Sequence, residues 1–132
     1  MTATERSRQL TIRAAQAASA KLGSDQIAFD VSDQLAIADT FLIVTAASER
    51  QVGAVVDAVE EALLAEQARP LRREGSQENR WVLLDYGDLV VHVQHAEERR
   101  LYALERLWRD CPTIDLGLDD QPDQRPADPT AG

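Results

Sequence analysis

Two apolar segments joined by a short turn constrain this chain more than any other feature of its sequence. Residues 80–85 (Arg-Trp-Val-Leu-Leu-Asp) and 88–93 (Asp-Leu-Val-Val-His-Val) are rich in β-branched and large apolar residues, and Tyr86-Gly87 separates them. Gly87 tolerates the positive φ that a tight turn requires. The pattern predicts an antiparallel β-hairpin. Its turn type stays open, because Tyr86 is a poor residue for a type I′ turn.

The rest of the chain alternates between helical and strand patterns. The spacing of apolar residues predicts three helices, over residues 5–22, 49–67 and 97–109. Runs of apolar and β-branched residues predict two more strands, over residues 27–31 and 40–45, and residues 71–74 fit a third strand with polar edges. The order α-β-β-α-β-β-β-α predicts an α/β domain with a mixed, mostly five-stranded sheet flanked by helices. The helix at 49–67 is a crossover that lets its flanking strands lie parallel.

Composition divides the chain into a domain and a tail. Residues 117–132 contain three of the five prolines, four Asp and one Arg. A segment of this kind has too few apolar residues to offset the entropy lost on folding. We therefore predict one folded domain over residues 1–116 and a disordered, acidic, Pro-rich tail over residues 117–132.

The charge balance indicates the kind of partner. The 132 residues carry 23 acidic and 14 basic side chains, a net charge of −9. This argues against a dedicated nucleic-acid-binding protein, which needs a basic face for phosphate contacts. A basic protein surface is the better match, since opposite fields speed encounter.

Cysteine content and hydropathy indicate the compartment. Cys111 is the single cysteine, which excludes an intrachain disulfide and fits a reducing environment. No apolar run approaches the roughly 18 residues of a membrane span. Residues 1–9 are polar, without the apolar core of a signal peptide. We expect a cytoplasmic protein without a membrane partner.

Two polar motifs have both a chemical and a structural interpretation. Ser48 is a possible nucleophile, but no recognisable base or carboxylate motif accompanies it, and Gln51 three residues later completes the pattern of a helix capping box. His92 and His95 are possible zinc ligands, but a third and fourth ligand are missing at suitable spacing. The residues favour a helix cap at Ser48 and a side-chain hydrogen bond for the strand histidine.

Asp85 and Asp88 offer the one plausible catalytic pair. They flank the hairpin turn and would suit magnesium in a nucleotidyl-transferring enzyme. Their spacing is one residue longer than the usual carboxylate-x-carboxylate strand pattern, and Asp is common beside turns. Neither Gly-rich phosphate-binding motif is present. We therefore predict no catalytic residues, no metal and no cofactor, and keep this enzyme as the alternative.

Strand alternation leaves one face of the hairpin unexplained. Trp81, Leu83 and Asp85 share one face, and the other carries Val82, Leu84 and Tyr86. The core requires only one of these faces. The remaining apolar and aromatic face is either covered by another helix or is a binding hot spot edged with acids. The pattern does not decide between them, nor whether Trp81 or Tyr86 points outward.

Residues 80–92 also carry a family resemblance. The string Arg-Trp-Val-Leu-Leu-Asp-Tyr-Gly-Asp-Leu-Val-Val-His resembles the signature of the ribosomal silencing factor family, RsfS, also called the Iojap or DUF143 family. Further segments resemble that family in consistent order, at residues 38–45, 48–52, 70–75 and 102–108. The resemblance covers about residues 5–116.

Membership would imply a nucleotidyltransferase-like fold without catalysis. It would also imply binding to the large ribosomal subunit through ribosomal protein uL14. The bound factor would block joining of the small subunit and so repress translation under nutrient limitation. The family's partner-binding surface is associated with the hairpin. Carried over to this sequence, the contact residues would be Trp81, Leu83, Leu84, Asp85, Tyr86 and Asp88, with Arg73 and Glu74 as neighbours. A homodimer of the free protein is a further expectation, through the same apolar face.

Overall fold

A five-stranded mixed sheet organises the structure, a computed structural model that describes residues 2–118. In chain order the elements are α1 (Glu5–Ala20), β1 (Ser24–Asp30), β2 (Thr40–Ala46), α2 (Glu49–Ala65), β3 (Arg72–Glu74), β4 (Trp81–Asp85), β5 (Leu89–His95), α3 (Ala96–Tyr102) and a 3₁₀ turn, Leu104–Arg106. The strand order is β1-β2-β5-β4-β3, with β2 and β5 parallel and the other neighbours antiparallel. The predicted α/β class with a mixed sheet is confirmed.

The predicted hairpin is formed by β4 and β5. Leu83 lies opposite His92 in the antiparallel register. The N–H of Tyr86 donates to the carbonyl of Leu89 at 2.8 Å, and Gly87 has a φ of 87°. The turn therefore uses the left-handed conformation for which glycine was expected.

The start of α2 confirms the predicted cap. The Oγ of Ser48 accepts a hydrogen bond from the N–H of Gln51 at 3.1 Å. The Gln51 side chain accepts from the N–H of Ala47 at 2.8 Å, one residue before the usual capping-box partner. Ser48 thus caps the N-terminus of α2.

The prediction of one helix over residues 97–109 is wrong. α3 ends at Tyr102, and Ala103 takes a left-handed conformation with a φ of 44° before the 3₁₀ turn. The break turns the chain so that Leu104 and Trp108 pack against the sheet, where Trp108 meets the Phe41 ring edge-on at 5.1 Å. Tertiary packing overrides the helical spacing here.

The two long helices cover the same face of the sheet. α1 contributes mainly alanines, three of which (Ala14, Ala15 and Ala18) are fully buried and allow close approach. α2 contributes a stripe of larger side chains: Val52, Val55, Val56, Val59 and Leu63. Apolar side chains of β2, β4 and β5 meet them in the main core: Leu42, Val44, Val82, Leu84, Leu89, Val91 and Val93.

The opposite face is covered over only part of its width. A second apolar cluster, which includes Phe29, Ile43 and Cys111, packs the segment after α3 against β1 and β2. Thr113 forms a bridge with Phe29 at the outer edge of β1. On the half of this face that belongs to β5, β4 and β3, α3 packs a tyrosine, Tyr102, against Trp81. The candidate site lies on this half, beside that contact.

Residues that pack against the core extend past the predicted domain boundary at residue 116. Leu116 is buried, and Leu118 packs partly buried against the main core. Residues 119–132, the greater part of the predicted tail, lie outside the described residues. Within residues 2–118, none of the helices has the length and apolar character needed to cross a membrane.

Candidate functional site

A groove of about 400 Å³ runs across the open half of the sheet. Side chains of β2, β4 and β5 form its floor: Phe41, Leu83, Val90 and His92. Two loop residues flank it, Ile37 before β2 and Leu71 before β3, and they are 83% and 76% exposed. With the apolar floor they form one contiguous apolar surface, and such a surface is typical of a site that a partner covers. We call this feature the sheet groove.

Trp81 lies on the same face as the sheet groove and is half-buried. Its indole packs against Tyr102 of α3, with ring centroids 4.9 Å apart. Its Nε1–H donates to Nδ1 of His92 at 3.1 Å. The expected side-chain hydrogen bond of the strand histidine is thus confirmed, and Trp81 is connected to the groove floor through it.

Three predicted contact residues belong to the other face. Leu84 is fully buried under the helices. Tyr86 packs against the main core, and burial raises the pKa of its hydroxyl to about 12. Arg73 pairs with α2, through Glu60 at 3.0 Å and Asp57 at 3.7 Å. The alternation left open in the sequence is therefore resolved: Trp81 is on the open face and Tyr86 on the helix-covered face.

Acidic side chains edge the sheet groove. Asp85 lines it, pairs with Arg72 at 3.5 Å and accepts a hydrogen bond from the Gly87 N–H at 2.8 Å. Glu74 is exposed and pairs with Arg72 at 4.0 Å. Asp88 is exposed in the turn. The structure thus places four predicted residues on one face, Trp81, Leu83 and Asp85 in β4 and Glu74 opposite Leu83 in β3.

Several groove residues were not among the predicted contacts. Val90 and His92 alternate in β5 with Val91 and Val93, which face the helices. This period of two was visible in the sequence and would have placed both residues on the Leu83 face once the hairpin register was known. No periodicity marks Ile37 and Leu71, because they lie in loops.

Side chains that the metal alternatives require have other partners in the fold. Among residues 2–118, no three His, Cys, Asp or Glu side chains come together in a way that would hold a metal ion. The carboxylate of Asp85 is engaged by Arg72 and the turn. His95 Nδ1 accepts from the Glu97 N–H at 3.1 Å and caps α3. These contacts assign structural roles to Asp85 of the magnesium alternative and to His95 of the zinc alternative.

His92 is the buried titratable group of the site. Burial lowers the pKa of its imidazole from 6.5 to about 4. The folded protein therefore keeps His92 neutral at pH values where the unfolded chain binds a proton. Below pH 6.5 the unfolded state holds more protons, so stability falls as the pH falls from 6.5 towards 4.

We predict that His92 alone costs about 3 kcal/mol of stability between pH 7 and pH 4. Urea unfolding of the wild type and of His92→Gln across this range measures it. The difference in unfolding free energy between the two proteins should change steadily with pH, since glutamine does not titrate. Parallel pH profiles would contradict the burial of a neutral imidazole.

The fold and the groove define a class: α/β domains with helices on one face of the sheet and half of the other face open. Solved structures of this shape exist. A protein from Chromobacterium violaceum matches with a TM-score of 0.75 and 31% identity, over 77% of this chain and 85% of that one. A protein from Bacillus halodurans matches with a TM-score of 0.71 and 35% identity, over 85% and 99%.

Sequence comparisons identify the family. The family model described as "Ribosomal silencing factor during starvation" matches residues 4–131. The ribosomal silencing factor RsfS of Bacillus subtilis is 41% identical over 103 residues, 78% of this chain and 87% of that protein. The RsfS of Halalkalibacterium halodurans is 41% identical over 96 residues, 73% and 82% of the two chains. This chain belongs to the ribosomal silencing factor family, as its hairpin signature predicted, and its general function is ribosome-associated repression of translation.

Proposed function

We propose that the sheet groove binds ribosomal protein uL14 on the large ribosomal subunit and that the bound domain blocks joining of the small subunit. The open apolar groove carries this proposal, because two flanking side chains, Ile37 and Leu71, are largely exposed in the free protein. The action needs no catalytic step and no cofactor, and it takes place in the cytoplasm. It represses translation when nutrients are limiting.

The contact surface consists of the residues that the open face presents. Trp81 and Leu83 supply apolar area, and Asp85, Asp88 and Glu74 supply the acidic edge. The chain's net charge of −9 suits a basic ribosomal protein. Leu84, Tyr86 and Arg73 support this surface from the helix side rather than contact the partner.

The mechanism is competition for space. A domain held on the intersubunit face occupies volume that the small subunit must enter. By mass action, the apparent dissociation constant of the small subunit rises by a factor of about 1 + [factor]/Kd. An interface of standard size, about 800 Å² per partner, is sufficient for specific binding.

Co-sedimentation of the purified chain with large subunits in a sucrose gradient tests the binding step. The chain should migrate with large subunits and not with small ones. Large subunits stripped of uL14 should not bind the chain. Equal co-sedimentation with stripped and intact large subunits would contradict uL14 as the partner.

We expect Trp81→Ala to weaken binding to large subunits by about 30-fold, or about 2 kcal/mol. The reason is that a few aromatic residues at the centre of an interface supply most of the binding free energy. Trp81→Phe should lose less affinity, since its phenyl ring replaces the indole that packs on Tyr102. Circular dichroism checks that both variants are folded. Wild-type co-sedimentation of a folded Trp81→Ala protein would remove Trp81 from the interface.

Binding should also weaken with salt. Between about 0.05 and 0.3 M monovalent salt, at constant magnesium, affinity should fall roughly threefold or more, because ion pairs at an exposed interface edge are screened. The double variant Asp88→Asn with Glu74→Gln should show a flatter dependence. An unchanged affinity across the titration would count against the acidic edge as part of the interface.

The same groove supports self-association of the free protein. We propose a homodimer that buries the exposed Ile37 and Leu71 and that must open before the ribosome is bound. Light scattering over a concentration series measures this state. Leu83→Arg, which places a charge in the groove floor, should shift the protein to the monomer.

A further inference from the structure

The floor of the sheet groove contains one polar side chain. Of the polar residues that line the groove, Arg72 and Asp85 pair with each other at 3.5 Å. His92 lies instead among Phe41, Leu83 and Val90, and its exposed fraction is only 6%. A partner that enters the groove therefore meets an imidazole surrounded by apolar side chains.

The hydrogen bond from Trp81 determines which nitrogen of His92 carries the proton. An indole Nε1–H is only a donor, so Nδ1 of His92 must be the acceptor. Burial keeps the ring neutral, with a pKa of about 4. A neutral ring with an unprotonated Nδ1 carries its proton on Nε2. Nε2–H is then a fixed donor, held in orientation by Trp81.

No acceptor for this donor is found in the described part of the chain. The imidazole makes the Trp81 hydrogen bond and contacts the Phe41 ring at 5.4 Å, and neither involves Nε2 as a donor. A purely apolar partner would bury this donor without an acceptor, and that burial opposes binding. The occupant that covers it best is one that supplies an acceptor at this point.

We propose that His92 Nε2–H donates to a main-chain carbonyl oxygen of the ribosomal protein that docks in the sheet groove. This inference rests on the proposed function and names how that site recognises its partner. A carbonyl is favoured over a carboxylate, because a single neutral donor does not compensate a buried negative charge, and Arg72 of the groove lining is already paired with Asp85. The matching segment of the partner presents an apolar side chain for the groove and a free carbonyl beside it.

Two substitutions separate the donor from the shape of the ring. His92→Phe keeps a ring of similar size but has no N–H, and it should bind large subunits at least tenfold more weakly. His92→Gln restores both functions, since its amide oxygen accepts from Trp81 and its amide N–H₂ donates into the groove. It should bind within about threefold of the wild type. Titrations by co-sedimentation with large subunits measure all three proteins, and circular dichroism checks folding.

A second measurement follows the proton itself. In protein labelled with ¹⁵N-histidine, NMR should show His92 as the Nε2–H tautomer, and addition of purified uL14 should move the Nε2 proton resonance downfield, as a new hydrogen bond does. Covering of the groove by an apolar surface would slow exchange of that proton with water without this downfield shift.

The outcomes distinguish this inference from the proposed function. If the wild type binds but folded His92→Phe binds equally well and the Nε2 proton resonance does not move downfield, the hydrogen bond is refuted while docking in the groove stands. If the wild type does not bind large subunits at all, both fail. Weak binding by His92→Phe with rescue by His92→Gln supports the donor.

Discussion

Leu83→Arg is expected to abolish binding to the large ribosomal subunit while the protein remains folded. Leu83 is half-buried in the floor of the sheet groove, opposite His92 in the hairpin register. An arginine here has room to extend towards solvent in the free protein, but a docked partner would bury its charge without a counterion. Such burial costs several kcal/mol, and a basic partner adds repulsion. We expect at least a hundredfold loss of affinity, about 3 kcal/mol.

Leu64→Arg is the matched control for this variant. Leu64 lies in α2, on the helix-covered side of the sheet, and is 47% exposed. The substitution makes the same change in size and charge away from the groove. Co-sedimentation at graded concentrations should show wild-type binding for Leu64→Arg and almost none for Leu83→Arg. Similar affinities for the two variants would mean that net charge, and not the groove, governs binding.

Gly75→Ala is expected to destabilise the fold by about 3 kcal/mol or more, since it combines a forced backbone shift with an unfavourable conformation. Gly75 follows β3 and has a φ of 86°. A Cβ at this position would lie 2.0 Å from the carbonyl oxygen of Trp81. That oxygen belongs to the backbone of β4, so no side-chain movement relieves the clash. Urea unfolding followed by tryptophan fluorescence measures the loss.

Gly87→Ala separates the two causes. Gly87 has nearly the same φ, 87°, but a Cβ there would meet only the Leu71 side chain, at 3.4 Å. This variant should lose about 1 kcal/mol, the cost of the left-handed conformation alone. Equal unfolding midpoints for the two variants would contradict the close approach of Gly75 to the carbonyl oxygen of Trp81. The comparison also tests how firmly β3 is held at the edge of the groove.

The central hairpin could be predicted because local and tertiary preferences agree there. Apolar residues of high β-propensity alternate around a glycine that the turn requires, and the resulting strands pair as expected. The same agreement explains the Ser48 cap and the positions of α1 and α2. Where one segment contains all the residues that determine an element, the sequence alone was sufficient to predict that element.

The path after α3 could not be predicted in this way. Helical spacing continues through Leu104 and Trp108 in the sequence, yet Ala103 breaks the helix. The break depends on contacts with distant residues. Arg99 donates to the carbonyl of Asp25 at 2.7 Å and to Thr45 Oγ1 at 2.7 Å, and so fixes α3 against β1 and β2. No local pattern reports these partners.

The sequence also did not predict which face of the hairpin is exposed. The alternation defined two faces, but the choice between them depends on which side of the sheet α1 and α2 pack. That choice places Trp81 outside and Tyr86 inside. The two exposed flanks of the groove, Ile37 and Leu71, come from separate loops that meet only in the folded chain.

Subunit joining in the presence of the purified chain tests the account most directly. Large and small subunits are mixed under joining conditions with a saturating excess of wild-type protein or of Leu83→Arg, and the products are separated on a sucrose gradient. We expect the wild type to migrate with free large subunits and to suppress the joined ribosome peak, and Leu83→Arg to leave that peak intact. An undiminished joined peak with saturating wild-type protein would contradict steric blocking of the small subunit.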